Sequence, residues 1–236
     1  MVGKLKRDLT NWFEQVGEKS LREVGIRKGN VVLDFGCGSG NYAIPVARIV
    51  GNEGTVYALD KDQRALDELM QTAESEGLSN IKRIDTSGEV EIALENESVD
   101  IVLLYDIFWY FPLTDNRLPK LLAEVYRIST PDAMISVYPK HIDSEQLKNK
   151  IENAGFHLKD KCLKMLIHDG QLERGQILNF VKKGDNHTSK TAPLGLYSPL
   201  IWYPVSSEIL FAKCLTSFIN GIASLGNLIW LSPTHS

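Results

Sequence analysis

Apolar positions along most of this chain switch between two periods. From about Leu9 to Gly25 they fall at Leu9, Trp12, Phe13, Val16 and Leu21, the spacing of one helix face, and Gly25 and Gly29 mark its end. Short apolar runs then take turns with amphipathic stretches. Val31–Phe35 reads as a strand, Tyr42–Val50 as a helix and Thr55–Leu59 as a strand, followed by a helix from Asp62, its N-cap, to a stop at Gly77. Ile81–Ile84, Asp100–Tyr105 and Ala133–Tyr138 supply three more strands. Leu118–Ile128 and Ser144–Ala154 supply two more helices, the second capped by Ser144. The unbroken Ile101–Leu104 run suits a strand covered on both faces. Phe156–Leu166 and Gln176–Val181 are β-like with no helix between them, which predicts an antiparallel hairpin at the sheet's edge. Such alternation implies right-handed crossovers and a parallel sheet with helices on both faces.

The pattern breaks near Lys182, where a polar run to Lys190 reads as a linker. We therefore expect one domain over 1–184, with the linker and an apolar C-terminal tail over 185–236. Within 209–231, Lys213, Thr216, Ser217, Asn220, Ser224 and Asn227 share one narrow helical stripe, and the rest of the circumference is apolar. A helix of that kind docks on protein, contacts a membrane, or is an extension that never orders; its lysine and asparagines make spanning costly.

Composition narrows the partners more than the fold. A length of 236 residues with 43% hydrophobic side chains suits one medium α/β domain with an appendage, or two small domains. A net charge of −4 argues against a nucleic-acid surface, although Lys4, Lys6 and Arg7 cluster at the start as a solvated end. Cys37, Cys162 and Cys214 have no metal-ligand or redox spacing, so we expect a reducing compartment and no metal. With charges at Lys4, Lys6, Arg7 and Asp8 there is no apolar signal region, and a cytoplasmic location is expected.

The chemistry concentrates between Val31 and Asp60. Asp34-Phe35-Gly36-Cys37-Gly38-Ser39-Gly40 joins a strand to a helix, where glycines let the backbone turn sharply and approach a ligand. No Gly-Lys-Ser/Thr ending is present, so this is not a P-loop. A dinucleotide turn spaces its glycines G-x-G-x-x-G around an anionic pyrophosphate, whereas here the spacing is G-x-G-x-G and Asp34 precedes it. Asp34 repels a pyrophosphate and attracts an ammonium, which disfavours a nicotinamide-dependent oxidoreductase. Asp60, ending the second strand, can accept hydrogen bonds from both ribose hydroxyls; Asp85, ending the third, can receive an adenine amine.

These residues resemble the class I S-adenosylmethionine-dependent methyltransferase family. The resemblance rests on Val32–Gly40, Val56–Asp60, Asp85 and Ser98–Asp106, and continues through Leu121–Pro131 and Ala154-Gly155-Phe156. It departs from the family at Thr130-Pro131-Asp132-Ala133, where glycines are usual. It implies a Rossmann-like seven-stranded sheet, mostly parallel with an antiparallel edge strand. It also implies S-adenosylmethionine contacts from Asp34, Gly36, Cys37, Gly38, Gly40, Asp60, Lys61, Asp85, Thr86 and Tyr105.

Methyl transfer needs an aligned, desolvated nucleophile, and a base is optional. The place after the fourth strand, Asp-x-x-His-His in many small-molecule members, here carries Trp109 and Tyr110 for the histidines, and Asn-Pro-Pro-Tyr is absent. Tyr105 and Asp106 end that strand, and His141 follows the fifth as the best-placed base. Phe108, Trp109 and Phe111 read as packing residues, and His168 has no supporting context. The expected function is methylation of a small molecule. RNA or protein methylation, or binding of S-adenosylmethionine without catalysis, are the alternatives.

Overall fold

The structure, a computed structural model, describes residues 2–182. Cys214, the linker beyond Lys182 and the 209–231 stretch lie outside the described residues. Seven strands form one sheet: β1 (Val31–Phe35), β2 (Thr55–Asp60), β3 (Ile81–Asp85), β4 (Val99–Tyr105), β5 (Ser129–Tyr138), β6 (Phe156–His168) and β7 (Gln171–Lys182). Their order is β3-β2-β1-β4-β5-β7-β6. The first five pair in parallel; β7 runs antiparallel to both neighbours, so β6 points the same way as β5. The hairpin thus takes the sheet's edge as expected, with reversed β7 inside and β6 outermost.

Alternate residues of the strands feed two cores. On one face pack α2 (Gly17–Val24), α3 (Ala43–Val50) and α4 (Gln63–Ser75), against Val32, Val56, Ala58 and Leu103. On the other pack α5 (Arg117–Ile128) and α6 (Ser144–Asn153), against Leu33, Val102, Leu104 and Ile135. Nearly every residue of β4 is buried, as its apolar run requires.

The N-terminal helical region starts earlier than its apolar spacing predicts, at α1 (Val2–Asn11), and reaches α2 through the π-helical segment Trp12–Val16. That segment aims Trp12 into the core, where it is fully buried and its Nε1 donates to the Asn41 carbonyl at 2.6 Å. Asp62 caps α4 as expected, accepting from the amides of Arg64 and Ala65, and Gly77 follows with a φ of 69°. For α6 the cap is Asp143, not Ser144: the Asp143 carboxylate accepts from the Gln146 amide, and Ser144 is the first helical residue. Asp132, where the resemblance calls for glycine, takes a φ of 65°.

Candidate functional site

The C-terminal ends of the parallel strands place the candidate residues along one edge of the sheet, where open α/β sheets bind ligands. β1 runs straight into the glycine turn. The amides of Gly36 and Cys37 donate to the Leu59 carbonyl at 2.8 and 3.1 Å, and Gly40 N closes the turn on the Cys37 carbonyl at 3.0 Å. The loop is therefore strapped to the end of β2. Asp60 completes the strap, its Oδ2 accepting from Gly38 N at 2.8 Å and its Oδ1 from Asp62 N at 2.9 Å. Each oxygen keeps a second lone pair for a ligand hydroxyl.

Two of the glycines are needed for different reasons. At Gly36, with a φ of 78°, a Cβ would stand 2.7 Å from Ile107 Cγ2. At Gly38, with a φ of 51°, a Cβ would meet nothing within 4 Å. The first glycine makes room for the protein, and the second leaves backbone open to whatever lies beyond it.

Asp34 is the electrostatic anomaly of the site. It is buried at 2% exposure, and its Oδ2 has no hydrogen-bond partner among the described residues. Burial, then the nearby charge of Asp60, pushes its carboxyl up to about 7, while the Ala43 amide pulls the other way. Two carboxylates at one turn, one of them desolvated and orphaned, form a site for a cation. The α-ammonium of S-adenosylmethionine fits that requirement, and Gly38 and the lone pairs of Asp60 suit its sugar. Cys37 is buried beside them, and burial raises its thiol far above the usual range, so it packs and does not react.

The remaining expected contacts are placed less uniformly. Lys61 is exposed and lies over the Tyr110 ring, 4.5 Å from its centre. Asp85 stands beside Asp60 in the strand register. It is held by Arg83, whose Nη2 lies 2.7 Å from Oδ1 and keeps the carboxyl below its ordinary range. Among the described residues, Oδ2 accepts only the Arg83 Nε hydrogen bond and keeps a lone pair for a further donor. Thr86 Oγ1 is used locally, toward Glu89 O and Gly88 N. Tyr105 is buried, with its hydroxyl 2.7 Å from Ser136 Oγ and its phenol raised by desolvation. Its ring meets Tyr42 edge-on at 4.9 Å. That assigns Tyr105 a supporting place in the floor of the site, not a proton-transfer one.

Asp106 and His141 come together with a residue that sequence reasoning passed over. His168 ends β6, its Nδ1 2.5 Å from Asp106 Oδ2 and its Nε2 3.3 Å from His141 Nε2. The missed signal is topological. Asp169-Gly170, with φ values of 48° and 73°, is a two-residue hairpin turn. Because β6 points the same way as β5, its last residue lands on the edge that carries the ends of β4 and β5. Trp109 is 70% exposed with its ring edge-on to His141 at 5.5 Å. Phe108 and Phe111 are buried, as their packing role predicts, and Trp109 is not.

Comparison with known proteins fits this geometry. Residues 32–132 match the family model described as a methyltransferase domain. A probable cobalt-precorrin-6B C(15)-methyltransferase (decarboxylating) of Saccharolobus solfataricus is 34% identical over 92 residues, 39% of this chain and 46% of that protein. A demethylmenaquinone methyltransferase of Geobacillus kaustophilus is 31% identical over 123 residues, 52% of this chain and 49% of that one. The chain thus spans about half the length of these curated relatives. In fold it is similar to the crystal structure of a SAM-dependent methyltransferase from Aquifex aeolicus. There the TM-score is 0.59 at 22% identity, covering 76% of this chain and 97% of that one. With its glycine turn, acidic strand ends and strand order, the chain is similar to class I S-adenosylmethionine-dependent methyltransferases, and the family match itself spans residues 32–132.

Proposed function

We propose that this protein transfers a methyl group from S-adenosylmethionine to a small-molecule acceptor. The observation that carries the reading is Asp34, a buried carboxylate with an orphaned oxygen beside a glycine turn strapped to Asp60. The cradle is Asp34, Gly36, Gly38 and Asp60, with Cys37, Gly40 and Tyr105 packing beneath it and Lys61, Asp85 and Thr86 at its rim. When bound, S-adenosylmethionine supplies a methyl group already activated on a sulfonium.

The chain's own task is to hold, align and desolvate. Asp34 and Asp60 supply negative charge against the cationic end of the ligand, and the buried aromatic floor of Tyr42 and Tyr105 excludes water. The acceptor is presented at the ends of β4 and β5, where Asp106, His141 and His168 are the groups that activate it. Exposed Trp109 offers a flat apolar face to that acceptor. Both curated relatives are named for small-molecule acceptors, which supports a small substrate here. The free thiols of Cys37 and Cys162 fit a cytoplasmic location. No helix among the described residues is long and apolar enough to cross a membrane.

The test is transfer of labelled methyl from S-adenosylmethionine into a whole-cell extract resolved into small-molecule, RNA and protein fractions, comparing the native chain with His141→Ala. We expect label in a small-molecule fraction. The variant should lose about a hundredfold or more in rate with unaltered cofactor affinity. Label found only in RNA or protein, or equal rates for the two chains, would contradict the respective parts of this reading.

A further inference from the structure

The cluster at the end of β4, β5 and β6 has the donor set of a metal centre. One ligand atom each of Asp106, His141 and His168 lies within 4.8 Å of the other two. The two Nε2 atoms are 3.3 Å apart. Two imidazole nitrogens that each stand about 2.0–2.1 Å from a tetrahedral divalent ion are separated by about 3.3 Å, so the rings already have ligand spacing. The 2.5 Å contact from His168 Nδ1 to Asp106 Oδ2 is the brace a ligating histidine ordinarily carries. It keeps the proton on Nδ1 and turns the Nε2 lone pair toward His141.

Backbone strain converges on the same spot. Among the described residues, five non-glycine residues have positive φ. Asp106 at 59° and His141 at 65° are two of them, while Asp169 at 48° follows from the hairpin turn. Conformations of this kind persist where the surroundings over-determine them and gather at functional sites. Asp169 Oδ2 adds negative charge 3.4 Å from His168 Nε2. The His168 side chain is only 12% exposed, while His141 and Asp106 open the cluster to solvent. A site of this build has a rigid back and an accessible front.

We propose that His141 and His168, the latter braced by Asp106, bind one divalent transition-metal ion of the zinc or cobalt(II) class. The two imidazole Nε2 atoms are its protein ligands, and the Asp106 carboxylate, on the Nδ1 side of His168, orients that ring. Imidazole nitrogens suit such ions, and two protein ligands leave positions for water or the donor atoms of a small molecule. This site rests on side-chain geometry alone, independently of the methyl-transfer reading.

The experiment is titration of the tag-free, chelator-stripped full chain with zinc(II) by calorimetry, without S-adenosylmethionine. Cobalt(II) absorption is the spectroscopic check. We expect one ion per chain and a visible tetrahedral-type cobalt band. Both should be lost in His168→Ala and in His141→Gln, whose exposed position leaves the fold intact. Asp106→Asn should weaken affinity by about 10–100-fold. No zinc binding by the native chain, or binding and a cobalt band equal in native and His141→Gln chains, would overturn the assignment.

Discussion

Asp34 is held at the end of β1 with its side chain buried beside the charge of Asp60, and its raised pKa has a definite consequence for stability. Its pKa stands near 7 in the folded chain against 3.8 as a reference, so in that window the folded state holds a proton that the unfolded state has lost. Stability attributable to this group is greatest below the reference value and falls as pH rises through about 7. A cationic ligand reverses the preference by favouring the carboxylate. Affinity for S-adenosylhomocysteine should therefore rise from about pH 5 to about pH 7, with proton release on binding, as calorimetry in buffers of different ionisation heat would show. A pH-independent affinity with no proton released would remove Asp34 from the cation's site. Asp34 and the glycines were legible in the sequence because sign of charge and spacing are both local properties. The Arg83 hold on Asp85 and the His168 partnership with Asp106 were not, since each needs strands brought together by the fold.

Among the elements, the π-helical segment carries the most consequence for the site. It delivers Trp12 to Tyr42, ring centres 5.4 Å apart, and Tyr42 in turn to Tyr105. The Trp12 hydrogen bond to Asn41 pins the residue that follows Gly40. Trp12→Ala should cost about 3–5 kcal/mol of stability, read as a lower denaturant midpoint. A loss below about 1 kcal/mol would show that the segment is not part of the core. Periodicity located every strand, yet β6 and β7 are longer than their apolar runs suggested. Lys159, Asp160, Lys161 and Lys164 interrupt the apolar pattern of β6, as charges on an edge strand do, and a register shift between Leu158 and Asp160 breaks the alternation further. Trp109 misled for the opposite reason. A local aromatic run does not tell which of its members the turn after β4 will leave exposed.

At the scale of the whole molecule, the sheet, both cores and the glycine cradle lie within residues 2–182. A chain ending at Gly184 should bind S-adenosylhomocysteine as the full chain does. Much weaker binding on truncation would make the 185–236 portion a working part of the site. The fold class was readable because strand–helix alternation is a global pattern written in local periods. The acceptor was not, since the residues proposed to receive it stand where β4, β5 and β6 end and meet only after folding.

The central claim is that the Asp34–Asp60 cradle holds S-adenosylmethionine. Its most direct test is calorimetric titration of the full chain with S-adenosylhomocysteine and, separately, with NAD, on the native sequence and on Asp60→Ala. The account predicts saturable S-adenosylhomocysteine binding, weakened by about tenfold or more in the variant with its fold retained, and no response to NAD. Tight NAD binding without a response to S-adenosylhomocysteine, or an affinity that Asp60→Ala leaves unchanged, would contradict it.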